Sequence, residues 1–292
     1  MEDFAPLSHT WDGAGDVQRS STACVSVRAG PNEREYRVRA EQTGALAPDG
    51  SFALRDNASG RLVLPFTLEF DSLPASGSLS LQSGAAFGGY FPGSYDLGCV
   101  NARLSWRFLA SDLEQMPAGD YGVSVGGAHS LQFYASWKNN SNRIVQTAPE
   151  FSMRVPALVQ ISGLDDIALP AGSGGDVVSG TDTYCVWSNA GAYTLVASSG
   201  LSIPDRPGSF ALRSGAGGLI PYTVLVSGSG TGGSGTPVEN GGAVGPLTAN
   251  AASRDCQGAD NGLVQVAVRV EDINSAGAGQ YQGTLLLRVH AQ

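Results

Sequence analysis

Lysine is almost missing from this sequence: Lys138 stands alone beside sixteen arginines in 292 residues. Histidine is scarce as well, and His9, His129 and His290 lie too far apart for a metal-ligand spacing. Charged residues make up only 15%, the formal net charge is −9, and no concentrated basic stripe interrupts that acidity. Nucleic-acid binding driven by counterion release is thereby excluded. The longest apolar runs are a handful of residues, so no segment reads as a membrane-spanning helix. Signatures of catalysis are missing too. There is no Gly-x-Ser-x-Gly elbow and no Asp-x-Asp-x-Asp-Gly calcium loop. Asp165 and Asp166 are adjacent and would face opposite sides of a strand. Residues 228–233 formally fit Gly-x-Gly-x-x-Gly, but Thr236 and Pro237 follow where a dinucleotide site needs a helix start. The Gly/Ser-rich residues 227–245 read instead as a mobile surface loop. The expectation is a protein that is not an enzyme and needs no cofactor or metal.

Glycine and proline are what the chain has in quantity, 40 and 15 residues. Both are poor helix formers, which excludes a mainly helical protein. The four cysteines, Cys24, Cys99, Cys185 and Cys256, form no Cys-x-x-Cys pair. Zinc and thioredoxin-like chemistry are set aside on that ground. Even, widely spaced cysteines in an acidic Gly/Ser-rich chain point to structural disulfides and an oxidising compartment. Export would require a leader already removed, because Met1-Glu2-Asp3-Phe4 has neither a basic start nor an apolar stretch.

The chain repeats itself. Ser51-Phe52-Ala53-Leu54-Arg55 recurs letter for letter at Ser209-Phe210-Ala211-Leu212-Arg213. Around it, Cys24 matches Cys185, Tyr36 matches Tyr193, Pro65 matches Pro221, Cys99 matches Cys256 and Tyr121 matches Tyr281, in order and at nearly constant offset. Two copies of one domain are therefore expected, residues 1–156 and 157–292. Spacing alone leaves three cysteine pairings open. One early and one late cysteine per copy make Cys24–Cys99 and Cys185–Cys256 the simplest choice.

Within each copy the hydrophobic period is two. Val264, Val266 and Val268 alternate with Gln265 and Arg269; Leu104, Trp106 and Phe108 alternate with Arg103 and Arg107; Tyr36, Val38 and Ala40 alternate with Arg37 and Arg39. Such alternation marks strands with one face on a core. Helix is confined to about one turn before each Ala-Gly-x-Tyr, at residues 111–115 and 271–274. The fold class is all-β: two tandem immunoglobulin-like β-sandwich domains.

After Ala278-Gly279-Gln280-Tyr281, the sequence runs to Gln292 with Tyr281, Leu285, Leu287, Val289 and Ala291 on one face. This final strand is expected to leave an open edge and an uncovered groove, filled by strand addition from another chain. The pattern resembles pilin domains of the chaperone–usher system. Residues 110–119, the Cys185-Val186-Trp187-Ser188 segment with Gly191-Ala192-Tyr193, and residues 278–285 are similar to stretches of two-domain tip adhesins, the minor initiator subunits of class 5 (alpha) fimbriae. Spore-coat-U-like domains of archaic pili share some of these features. The resemblance implies a C-terminal pilin domain lacking its last strand, with Tyr281, Leu285, Leu287 and Val289 in the donor-strand groove and chaperone contact. Its implied partners are a periplasmic chaperone, an outer-membrane usher and a major pilin subunit that donates the strand. Residues 1–156 would be the receptor-binding adhesin domain, completed in cis by segments such as residues 131–137. The protein would pass through the periplasm to a fimbrium at the bacterial surface. A structural minor pilin without a receptor, and a free secreted carbohydrate-binding sandwich, are the alternatives.

Candidates for meeting a glycan or protein receptor come from two features. Arg37, Arg39, Arg103 and Arg107 take the outward phase of two strands. Tyr90, Phe91 and Tyr95 lie in a Gly-rich segment whose counterpart before Cys256 has no aromatic residue.

Overall fold

The computed structural model describes residues 4–25, 35–44, 46–60, 63–73, 77–92, 100–123, 130–170, 175–230 and 235–292, with the exception of 138–139. The chain divides into two compact units, Met1–Pro156 and Ala157–Gln292. Among the described residues each is built mainly of strands with one six-residue α-helix, α1 (Ala110–Gln115) in the first and α2 (Val270–Ser275) in the second. Among the described residues, no helix is long and apolar enough to cross a membrane.

Unit 1 contains β1 (Leu7–Thr10), β2 (Val17–Val25), β3 (Glu35–Gln42), β4 (Phe52–Asp56), β5 (Val63–Ser72), β6 (Gly77–Leu81), β7 (Phe91–Pro92), β8 (Val100–Phe108), β9 (Gly119–Val123), β10 (Leu131–Trp137), β11 (Asn140–Thr147) and β12 (Phe151–Val155). One sheet runs in the order β1-β12-β9-β4-β5-β8-β2, with β6 beside β5, and the other runs β11-β10-β3-β7. The alternation written in β3 and β8 places Tyr36, Val38, Ala40, Leu104, Trp106 and Phe108 in the core. That core is aromatic: Trp106 lies 4.5 Å from Phe151 and Phe66 lies 5.4 Å from Phe108, centroid to centroid.

Unit 2 contains β13 (Val159–Ser162), β14 (Val177–Ser188), β15 (Ala192–Ser198), β16 (Phe210–Ser214), β17 (Leu219–Ser227), β18 (Thr236–Val238), β19 (Ala243–Thr248), β20 (Gly262–Arg269), β21 (Tyr281–Gln282) and β22 (Leu286–Ala291). Its sheets are β13-β14-β20-β17-β16-β21, with β18 beside β17, and β19-β15-β22. The core is aliphatic, with Val186, Leu195, Val224, Val226, Val264, Val266 and Val268 packed around Tyr184, Tyr193 and Phe210. Cys185 and Cys256 are disulfide-bonded. Cys24 is in a disulfide as well, and Cys99, its expected partner, lies outside the described residues.

The expectation of a mobile loop over residues 227–245 is corrected where strands form in it, while 231–234 lie outside the described residues. β18 pairs with β17, and β19, which begins at Ala243, pairs with β15. Backbone pairing does not require side-chain hydrophobicity. Val238 supplies the apolar anchor there, buried against the core.

Candidate functional site

The two units carry matched strands with unmatched surroundings. In unit 1, β10 pairs antiparallel with β3, with Phe133 opposite Ala40 and Ala135 opposite Val38. In unit 2, β22 pairs antiparallel with β15, with Leu287 opposite Ala197 and Val289 opposite Leu195. Because Tyr36 corresponds to Tyr193, Phe133 corresponds to Leu287 and Leu131 to Leu285. β10 has a second neighbour, β11, along its other side. Among the described residues β22 pairs with β15 alone.

The difference reaches the core. Phe133 is 0% exposed and Leu287 9% exposed, while Leu285 and Val289 stay half-buried where Leu131 and Ala135 are fully covered. A second pair repeats the contrast. Tyr121 donates its hydroxyl to the Pro117 carbonyl at 2.8 Å, and Tyr281 donates to the Gly277 carbonyl at 2.9 Å. β9, which carries Tyr121, pairs with both β4 and β12. β21, which carries Tyr281, pairs with β16 alone among the described residues. Tyr121 is accordingly buried and Tyr281 half-buried. Tyr281, Leu285, Leu287 and Val289, together with Val159, Ile161, Ile167 and Leu169, pack on the unit 2 core. They form an apolar seam between β22 and the segment starting at β13. β13 and β22 come within 8 Å, Cα to Cα, without ladder bonds between them.

The expectation that residues 131–137 complete unit 1 is corrected by this pairing. Those residues are β10, the counterpart of β22. The strands that cover the exposed edges are β11 and β12, the next two along the chain. Alternation in sequence gives the face of a strand but not its neighbour, so β10 and β11 were not distinguishable by pattern.

The receptor candidates separate into two groups. Arg103 and Arg107 lie on β8, where carboxylates hold both: Arg103 Nε is 3.2 Å from Asp71, and Arg107 Nη2 is 2.6 Å from Asp16. Asp16 also accepts from the Ala110 amide at 2.9 Å. That bond, followed by the one from Arg107, holds the Asp16 carboxyl below the usual carboxylate range. Arg37 and Arg39 lie on β3, away from these pairs. The Arg37 guanidinium carbon is 4.7 Å from the Phe87 ring centroid and 5.7 Å from that of Tyr90. That of Arg39 is 5.1 Å from Phe87 and 4.6 Å from Tyr134. The Gly88 amide donates to the Val38 carbonyl at 3.2 Å and so lays the 84–90 segment along β3.

Phe91 is not a surface residue. It is 7% exposed, with its ring 5.2 Å from Phe70 and 5.7 Å from Tyr36. Pairing of Phe91 with Tyr36 across β7 and β3 turns it into the core, whereas Tyr90, one residue earlier, is 43% exposed. Tyr95 lies outside the described residues. Sequence reasoning included Phe87 in the Gly-rich segment 86–95 but missed Tyr134 as its neighbour on this face. Tyr134 was detectable as the out-of-phase aromatic in Leu131–Trp137.

No protein-family model matches the sequence, and no curated protein matches it. Among solved structures, the chain is similar to the CsuC–CsuE chaperone–tip adhesion subunit pre-assembly complex from archaic chaperone-usher Csu pili of Acinetobacter baumannii. The match covers 98% of this chain and 99% of that one, at 14% identity and a TM-score of 0.48. It is similar to CfaE, the adhesive subunit of CFA/I fimbria of enterotoxigenic Escherichia coli, over 98% of this chain and 92% of that one, at 14% identity and a TM-score of 0.39. It is also similar to the CupB6 tip adhesin from Pseudomonas aeruginosa, over 94% and 86%, at 12% identity and a TM-score of 0.42.

Proposed function

We propose that unit 2 is a strand-accepting pilin domain and unit 1 a receptor-binding domain, together making a pilus tip adhesin assembled by donor-strand complementation. The observation that supports this most is internal to the chain. Unit 1 exhibits the completed arrangement, with β11 against β10 and β12 against β9, and unit 2 has the same two strands with one neighbour each among the described residues. An unpaired row of backbone N–H and C=O groups beside a half-covered apolar seam is the template on which strand addition works. The ladder supplies affinity, and alternate side chains supply specificity.

The completing strand comes from the next pilin subunit. During export a periplasmic chaperone supplies a strand in its place, and an outer-membrane usher exchanges the two. The finished protein sits at the tip of a fimbrium, where unit 1 meets a surface receptor. It acts by binding and assembly rather than by catalysis.

The test adds a donor. A peptide with apolar residues at alternate positions, long enough to pass both β22 and β21, is fused after Gln292 through a flexible linker in the full chain. Occupancy by a ligand that binds only the folded state raises stability by RT ln(1 + [L]/Kd). Unit 2 is expected to melt at least 10 °C higher, an increase on the order of 2 kcal/mol or more. The increase is expected to vanish when the alternate apolar positions of the donor are made Asp, or when Val289→Arg fills the seam with charge. An unchanged melting temperature with the intact donor overturns the reading.

A further inference from the structure

Unit 1 holds its finishing strand from both sides. β12 lies between β9, to which it is antiparallel, and β1, to which it is parallel. The Leu7 amide donates to the Glu150 carbonyl at 3.0 Å, and the Trp11 amide to that of Arg154 at 2.9 Å. β1 reaches this place by passing over β2, where both ring nitrogens of His9 lie 3.3 Å from Arg19 Nη2. Arg19 corresponds to Gly180 of β14, at the same offset as Cys24 and Cys185.

Unit 2 contains the same crossing. Gly180 lies opposite Val266 in the β14–β20 register, so it faces the core beside that buried valine. A Cβ at Gly180 would lie 2.7 Å from Ile167 Cγ2 and 2.9 Å from the Ala168 carbonyl oxygen. Any larger residue would therefore push 167–169 away from β14. Ile167 and Leu169 pack on the core from this position. The crossing makes Ile167 the counterpart of His9, and so Asp165 the counterpart of Leu7. Residues 163–170 nevertheless belong to no strand. The Leu7 amide donates to the finishing strand, whereas the Asp165 amide donates to an Asp182 carboxylate oxygen at 2.7 Å. Asp182 stands two residues beyond Gly180 on β14, in the same phase.

We propose that residues 165–169 are the second wall of the acceptor groove, and that Asp182 is a positioning residue that holds the Asp165 amide until a carbonyl of the incoming strand takes it over. The occupant is a donor strand running antiparallel to β22 and then to β21, as β11 and β12 run against β10 and β9. Its second half pairs in parallel with 165–169, as β12 does with β1. An edge amide that is covered without an acceptor costs free energy, so a side chain that satisfies it keeps the edge extended before the strand arrives. Gly180 supplies the close approach that keeps this wall on the core. The inference rests on the reading of unit 2 as a strand acceptor.

Amide hydrogen exchange is followed residue by residue by NMR in the full chain, with and without the donor peptide fused after Gln292. Without the donor, the Asp165 amide is expected to exchange about tenfold faster in Asp182→Ala, the size of one hydrogen bond to a charged group. Asp182→Asn keeps a carbonyl acceptor and is expected to restore most of the protection. With the donor, the Ile167 and Leu169 amides are expected to gain protection, and Asp165 to stay protected in Asp182→Ala as in the parent. Gly180→Ala is expected to abolish the gain at 167 and 169 while the donor still protects β22. If Gly180→Ala does not fold, the two Asp182 variants carry the test. Four results overturn this inference and leave strand acceptance standing: a higher melting temperature without protection at 167 and 169, a gain there that survives Gly180→Ala, Asp165 exchange indifferent to Asp182 in the unfused chain, or Asp165 protection that still needs Asp182 under a bound donor. An unchanged melting temperature with the donor overturns both readings.

Discussion

The rings of Phe210 and Tyr222 stack with centroids 5.2 Å apart and planes inclined by 27°. They face each other across β16 and β17, beside the opposed pair Ala211 and Pro221. Unit 1 builds the same joint from Phe52 and Phe66, 5.6 Å apart at 30°, beside Ala53 and Pro65. Each ring pair is buried and ties a five-residue strand, β16 or β4, to a longer one, β17 or β5.

Truncating such a joint removes dispersion contacts and leaves a cavity. Phe210→Ala is expected to lower the stability of unit 2 by about 3–5 kcal/mol, and Phe210→Leu by clearly less. Urea denaturation of the full chain checks this through a lower midpoint with unchanged slope. A loss under about 1 kcal/mol would mean that the stacked pair adds little beyond surface burial.

The disulfide gives an independent measure of unit 2. Cys185 and Cys256 close a loop with a sequence separation of 71. Restricting an unfolded chain of that length amounts to about 4 kcal/mol in the chain-entropy model. Cys185→Ala/Cys256→Ala is expected to unfold at correspondingly lower urea, with the unfolding of unit 2 no longer responsive to added reductant. A double variant as stable as the parent under oxidising conditions would contradict this.

What was readable in the sequence follows from range. The identical Ser-Phe-Ala-Leu-Arg segments and the alternation in β3, β8 and β20 are local patterns, the first pointing to a repeated unit and the second to buried faces. The alternation of Leu285, Leu287 and Val289 likewise matches the core-side packing of these side chains along β22 and the residue before it. Partners were not readable. Arg103 and Arg107 share the outward phase of Arg37 and Arg39, but Asp71 and Asp16 reach them from distant parts of the chain. Phe91 and Tyr90 are neighbours in a Gly-rich stretch too short to reveal a period, and only pairing with Tyr36 separates them. The roles of β10 and β11 depended on the same long-range information.

Two aspartates near the start of α1 should pull the pH dependence of stability in opposite directions. Asp16 accepts from the Ala110 amide and from Arg107, and these bonds hold its carboxyl below the usual carboxylate range. A carboxyl lowered by folding stabilises above its unfolded value, and that contribution is lost as pH falls through the lower folded value. Asp112 is raised instead, first by desolvation and then by the charges of Asp49 and Asp16. A carboxyl raised by folding favours the folded state below its unfolded value, and that contribution disappears as pH rises through the folded value. Asp16→Asn should therefore lower the stability of unit 1 near about pH 7 and converge on the parent below the Asp16 folded value. Asp112→Asn should raise it near about pH 7 and converge on the parent in acid. Urea denaturation across this range measures both. The same sign of change for the two variants at neutral pH would refute the assignment, because the charge of Asp16 is satisfied by donors whereas that of Asp112 faces other carboxylates.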